Sequence, residues 1–251
     1  MKSRVIPVLG LNDGGLYKTK GFQRPIYVGD PVNAVKVFNE KSVHELMVCG
    51  FRCSIEGKGP EWSILRDIAN EAFMPLAYGG GIRNMTDVRY LVKMGYEKIC
   101  FSSAVYTNPN LIKDAIQSIG ASSVMVSLDY VAHSGGRMVC RGKSGTLGEN
   151  KYDLLETMQM VQSWGVGEVI LHSIERDGGY TGFDFDTYDE LKRHLRVPAI
   201  ILGGASSYEN LKEAKMRGIQ GVAASSLFVF YGKLKAVLIN YSEEEEYESG
   251  M

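Results

Sequence analysis

The chain has 251 residues, of which 45% are hydrophobic, enough to bury a sizeable core and to exclude disorder as the default reading. This length fits one large α/β barrel as well as two small domains. With 28 Lys+Arg against 29 Asp+Glu, the formal net charge is -1, a balance that gives no reason to expect a nucleic-acid surface or a polybasic membrane anchor.

In chain order, short β-rich runs alternate with longer amphipathic ones. MKSRVIPVLGLNDGG has too short an apolar run for a signal peptide, and no later run approaches membrane-spanning length, so a cytoplasmic protein is expected. Strands are predicted at Val5–Leu9, Glu45–Cys49, Leu76–Tyr78, Lys98–Phe101, Ser123–Leu128, Glu168–His172, Ala199–Leu202 and Gly221–Ala223. Between them, helical spacing of apolar residues is found over Pro31–Glu40, Met85–Met94, Pro109–Ile119, Leu154–Trp164 and Tyr208–Met216. Cys49 and Cys100 sit inside apolar runs, and with Cys53 and Cys140 they form neither a CxxC pair nor a secreted disulfide pattern, so reduced thiols are expected. The four histidines are scattered, and none lies at ligand spacing from another His, Cys or Asp, so no metal or cofactor is expected. From about Ser242 the chain is acidic and reads as a solvated tail.

Strand–helix alternation repeated eight times implies a parallel sheet, and eight units in this length close most economically as a single (β/α)8 barrel spanning residues 1–251. An internal repeat supports the same fold. Sliding the chain by 123 positions carries Pro75 onto Pro198, Gly80-Gly81 onto Gly203-Gly204, Gly95 onto Gly218 and Ser102-Ser103 onto Ser225-Ser226. The same offset carries Glu45 onto Glu168 and Asp30 onto Asp153, so the barrel is expected to consist of two four-unit halves.

Ligands of such barrels lie at the C-terminal ends of the strands. Gly80 and Gly81 follow strand three and Ser102 and Ser103 follow strand four; Gly203, Gly204, Ser225 and Ser226 repeat the set after strands seven and eight. Glycine lets backbone N–H groups approach an anion closely, a following helix start adds favourable partial charge, and serine hydroxyls add donors. Tight strand-to-helix turns alone would also account for the glycines. Two matched copies favour two phosphate clefts, which would suit a ligand carrying phosphate at both ends.

VIPVLGLNDGGLYKTKGF, YVGDPV, YGGGIRN, VSLD and HSIERDGGYTGFD together resemble the cyclase subunit of imidazole glycerol phosphate synthase, in order, from about Arg4 to about Phe230. The resemblance implies a TIM-type barrel that receives ammonia from a HisH-type glutaminase docked on its N-terminal face and uses it at a phosphorylated substrate. It also implies two general acid–base aspartates, on strands one and five. Asp129 matches the second, with a loop-capping aspartate as the structural alternative. The first is replaced by Gly10. Gly50 stands where the family has another aspartate, Leu202 replaces a small polar residue and His172 a hydroxyl residue. Lys18 and Asp177 are matched at the mouth. Arg4, Glu45, Lys98 and Glu168 match the charged ring that gates the family's ammonia route, though a salt-bridged floor would use the same residues, and Glu97 matches an acidic residue that docks the glutaminase.

The resemblance therefore implies a divergent subunit that delivers ammonia to a phosphorylated or nucleotide-sugar molecule. The associated context is amidation of a surface-polysaccharide sugar, in which an ATP-dependent amidating ligase also acts. Retention of the cyclase reaction itself, and a non-catalytic role as glutaminase activator, are the alternatives.

Overall fold

The computed structural model describes residues 3–146, 152–232 and 234–241. Eight parallel strands close on themselves: β1 (Arg4–Asn12), β2 (Leu46–Gly50), β3 (Leu76–Gly79), β4 (Tyr96–Phe101), β5 (Val124–Ala132), β6 (Glu168–Ser173), β7 (Ala199–Leu202) and β8 (Gly221–Ala224). Closure is made by β1 beside β8, with Arg4 opposite Gly221 and Pro7 opposite Ala224. The principal helices are α1 (Pro31–Glu40), α2 (Trp62–Glu71), α3 (Met85–Met94), α4 (Pro109–Ile119), α5 (Leu154–Ser163), α6 (Phe185–Leu191) and α7 (Tyr208–Met216), and a single turn, Ser226–Val229, follows β8. This is the expected TIM-type (β/α)8 barrel. The acidic stretch from Ser242 lies outside the described residues.

Strand parity organises the molecule. Side chains alternate across a strand, so one set faces the barrel interior and the other faces the helices. On β1, Ile6 and Val8 join the interior cluster, while Leu9 and Leu11 join the larger core beneath the helices. On β5, Met125 is interior and Val124, Val126 and Leu128 are outward; on β6, Ile170 is interior and Val169 and Leu171 are outward. Extending the interior set along each strand places Arg4, Glu45, Lys98 and Glu168 at the N-terminal end and Asp129 and His172 at the C-terminal end.

The two halves repeat in detail. Asp30 caps α1 by accepting from the Asn33 N–H at 2.8 Å, and its mate Asp153 caps α5 by accepting from the Glu156 N–H at 3.1 Å. Gly80 and Gly203 have φ of 118° and 101°, and a β-carbon on either would lie 2.3 or 2.5 Å from the carbonyl oxygen of Gly50 or Ser173, which are repeat mates themselves. Glycine is required at both positions for packing, whatever else the loops do.

Two hairpins rise from the C-terminal rim. The insert after β5 returns as a short strand, Met138–Cys140, paired antiparallel with β5. The other was not legible as an element: Gly15–Lys20 pairs antiparallel with β1 and with Gln23–Gly29. The alternation of GLYKTK and QRPIYVG about Gly21 is the signal that could have found it.

Candidate active site

At the N-terminal mouth the four charged residues form a closed ring. Arg4 donates to Glu45 at 2.6 Å and to Glu168 at 2.8 Å, and Lys98 Nζ reaches Glu45 at 3.0 Å and Glu168 at 3.3 Å. Two acids and two bases cancel in net charge, and each carboxylate touches both cations, which is the pairing that charges at the base of an apolar barrel require. Glu97, one residue before Lys98 and of opposite parity, is exposed on the same rim.

The C-terminal mouth is built on Asp129, which is 7% exposed. Its carboxylate accepts from the Ser102 hydroxyl at 2.8 Å and the Ser127 hydroxyl at 2.7 Å, and His172 Nδ1 lies 3.2 Å away. A carboxylate only accepts, so Nδ1 carries a proton in this arrangement. His172 Nε2 is buried without a hydrogen-bond partner; the nearest acid oxygen, on Asp177, is 3.9 Å away, an ion-pair contact rather than a hydrogen bond. Asp177 in turn holds Lys18 Nζ at 2.7 Å and Thr19 Oγ1 at 3.3 Å.

Burial alone would lower the His172 pKa, but the hydrogen bond to Asp129 and the charges of Asp129 and Asp177 outweigh it and lift the value to about 9. Burial would raise Asp177, yet His172 and Lys18 hold its carboxyl well below the usual carboxylate range. The mouth is therefore an alternating array, Asp129–His172–Asp177–Lys18, with an imidazolium between two carboxylates. Such a group can donate a proton at neutral pH or hold a developing anion.

Two mouth expectations need correction. Gly10 shares the interior parity of Ile6 and Val8, yet it does not line the cavity: a β-carbon there would lie 2.5 Å from the Tyr17 carbonyl oxygen and 3.4 Å from the Phe51 ring. The Gly15–Lys20 hairpin strand occupies the space an aspartate would need. Lys18 does not reach the open cavity either, because it is 9% exposed and bound to Asp177. Gly50 lines the cavity, but a side chain there would collide with its walls: Tyr78 Oη and Cys53 Sγ lie 2.7 and 2.8 Å from the position of its missing β-carbon.

The two glycine–serine clefts are unequal. The first opens into a cavity of about 340 Å³ lined by Gly80, Gly81, Ser102, Ser103, Asp129 and His172 among others. The second, bounded by Gly203, Gly204, Ser225 and Ser226, has a volume of about 10 Å³. The serines of the first cleft also have protein partners, Ser102 through Asp129 and Ser103 by accepting from the Lys143 N–H at 2.9 Å. Ser226 Oγ is buried with no partner. Among the described residues, no three His, Cys, Asp or Glu side chains gather as a metal site, and no helix is long and apolar enough to cross a membrane.

All four cysteines are free. Burial, reinforced by Asp129, pushes the Cys49 thiol up to about 12 and Cys140 likewise to about 12, and burial raises Cys53 and Cys100 too. Cys49 faces the cavity as an unreactive thiol.

Residues 4–235 match the family profile described as histidine biosynthesis protein. The chain is 40% identical over 248 residues to a Vibrio vulnificus protein named for imidazole glycerol phosphate synthase subunit hisF3, covering 98% of this chain and 95% of that one. A Leptospira interrogans protein named for subunit HisF is 40% identical, covering 99% and 98% of the two chains. One from Pseudomonas aeruginosa, named for subunit hisF2, is 38% identical across 100% of both. With its barrel, its repeat and this full-length kinship, the chain belongs to the histidine biosynthesis protein family, in its HisF-type imidazole glycerol phosphate synthase branch.

Proposed function

We propose that this chain is the ammonia-accepting synthase subunit of a glutamine amidotransferase. A glutaminase subunit docks over the N-terminal mouth, with Glu97 at the contact rim and the Arg4–Glu45–Lys98–Glu168 ring as the gate. Ammonia crosses the barrel and meets a phosphorylated molecule held above Asp129. The observation that carries this reading is the closed ring lying on the same inward stripes as the mouth: Glu168, Ile170 and His172 run from floor to mouth along β6.

Asp129 serves as the proton-transferring carboxylate, with His172 beside it where the family has a hydroxyl. Because Gly10 leaves the strand-one family carboxylate missing, the favoured product is an aminated or amidated sugar derivative rather than imidazole glycerol phosphate. An ATP-dependent ligase would activate the acceptor, and surface-polysaccharide assembly is the favoured context. The second reading, the cyclase reaction itself, draws support from full-length kinship with proteins named for that synthase.

The test is reconstitution with a HisH-type glutaminase from the same organism. Glutamine hydrolysis should rise on mixing, and glutaminase should co-elute with the barrel. Absence of both a complex and any stimulation would end the proposal. Turnover of the family's bisphosphate substrate with ammonium salts, at a rate matching a two-aspartate enzyme, would instead select the cyclase reading.

A further inference from the structure

Seven of the eight barrel strands are followed by a helix of seven residues or more, α1 to α7. Among the described residues β8 is followed only by the turn Ser226–Val229 and then by a small hairpin, Phe230–Tyr231 paired antiparallel with Ala236–Val237. The chain beyond the hairpin is tied back to that turn: Leu238 N–H donates to the Val229 carbonyl at 3.0 Å and Asn240 N–H to the Phe228 carbonyl at 2.8 Å. Tyr241 is buried, its ring centre 5.5 Å from that of Phe228. Where an eighth helix would bury an apolar stripe, this hairpin leaves Tyr231, Leu234, Val237 and Leu238 exposed, Leu234 at 95%.

A second set of exposed apolar side chains stands beside the first. Ile26 and Tyr27 lie on Gln23–Gly29, the outer strand of the rim hairpin that follows β1, and β1 is the neighbour of β8. Both hairpins lean on the loop after β6. Gly21 N–H donates to the Asp177 carbonyl at 2.9 Å, and Lys235 Nζ lies 4.3 Å from the centre of the Tyr180 ring, in the same loop. Of the eleven exposed large apolar residues among the described residues, six therefore gather on two adjacent hairpins, a concentration that marks a contact surface. The charge of this face has one sign. Neither 15–29 nor 230–241 contains an aspartate or glutamate. Lys20 and Arg24 are exposed and, among the described residues, meet no acid, while Lys235 lies against a ring rather than a carboxylate. The sequence that follows Tyr241, SEEEEYESGM, carries five glutamates and no cation. A two-fold contact between copies through this face would instead set Lys20, Arg24 and Lys235 against the same cations of the other copy.

We propose that residues 242–251 dock on the face formed by these two hairpins of their own chain, with the glutamates of 243–246 against Lys20, Arg24 and Lys235, and Tyr247 over the exposed apolar side chains. The reach is short: four residues beyond Tyr241 span up to about 14 Å, and neighbouring strands lie roughly 5 Å apart. Tethered at Tyr241, the segment meets the face at an effective concentration on the order of millimolar, where several exposed ion pairs, each weak alone, act together. It takes the place of the solvated tail that composition alone suggests, and it clamps one hairpin to the other beside the substrate mouth. Any acidic partner of the rim cations has to displace it.

Amide hydrogen exchange of the full chain, read over residues 23–29 and 231–238, tests the proposal. The comparison is with a full-length variant carrying Glu243→Gln, Glu244→Gln, Glu245→Gln and Glu246→Gln together. At about 0.05 M salt, exchange in both hairpins should be roughly five- to tenfold slower in the unaltered chain, and about 1 M salt should abolish the difference by screening. Lys20→Glu with Arg24→Glu, both at exposed positions, should speed exchange in the same way. Adding Glu243→Lys, Glu244→Lys, Glu245→Lys and Glu246→Lys to that pair should restore the protection. Exchange within twofold in the unaltered chain and the glutamine variant would overturn the proposal, leaving a solvated tail. Protection that grows with protein concentration would overturn it too, by assigning the face to a second copy. The salt comparison needs no variant and decides even if one of them does not fold. None of the substituted residues belongs to the charged ring or to the array at Asp129, so co-elution with the glutaminase should persist in every variant, and the two proposals fail separately.

Discussion

Replacing Gly10 isolates the steric part of the altered mouth from its chemistry. A β-carbon at this position lies 2.5 Å from the Tyr17 carbonyl oxygen, whereas ordinary contact begins at 3.4 Å. The hairpin that carries Tyr17 cannot swing away freely, because Lys18 and Thr19 hold Asp177 and Gly21 N–H holds the Asp177 carbonyl. Overpacking of this kind typically costs about 1–3 kcal/mol, and the anchored neighbour argues for about 2–3 in Gly10→Ala. Gly10→Asp should cost more, since it also buries a carboxylate with no cation assigned to it. Equilibrium urea unfolding followed by the fluorescence of Trp62 and Trp164 measures both variants. The aspartate is expected to destabilise the protein without restoring turnover of the family's bisphosphate substrate with ammonium. A Gly10→Ala variant within about 0.5 kcal/mol of the unaltered chain, the range of an ordinary surface substitution, would refute the reasoning by showing that the hairpin yields. A stable and active Gly10→Asp protein would reduce the divergence to a single side chain.

Three further outcomes are expected. His172 has its folded pKa raised to about 9 from an unfolded value near 6.5, so its stabilising contribution is complete below pH 6.5 and is lost as pH rises through 9. Urea unfolding stability should fall by up to about 3 kcal/mol across that window, and the slope should flatten in His172→Gln. Lys98→Met leaves Glu45 and Glu168 sharing Arg4 alone and should cost about 3 kcal/mol, with part recovered by adding Glu45→Gln; no loss in the single variant would mean that the ring contributes no net pairing. Ser102→Ala removes one of the hydroxyl donors to Asp129 and should cost about 1.5–3 kcal/mol in unfolding free energy, with Thr107→Ala as a neutral control nearby.

The barrel was legible because its signals are local or periodic. Ile6, Val8 and Arg4 share one parity, and that parity alone delivers the floor and the interior. The repeat read from Gly80-Gly81 and Gly203-Gly204 is matched by shared positive φ and shared close approaches to carbonyl oxygens. The array at Asp129 was half legible: Asp129, His172, Lys18 and Asp177 could each be named, but their order as a charge chain depends on loop contacts between residues 159 positions apart in sequence. The direction of Gly10 and the inequality of the clefts could not be read, because both depend on where the Gly15–Lys20 hairpin comes to rest. Packing of a rim hairpin is a tertiary choice that alternation does not encode.

The free thiols give the molecule a built-in gauge of its own opening. With each thiol pushed above its ordinary range, little thiolate forms near pH 8 while the barrel is closed, so alkylation must wait for exposure. Cys49, Cys53 and Cys100 lie in the first four βα units, and Cys140 lies in the hairpin after β5. Mass-resolved labelling rates at these sites would then time the breathing of one half-barrel against the other without an added probe.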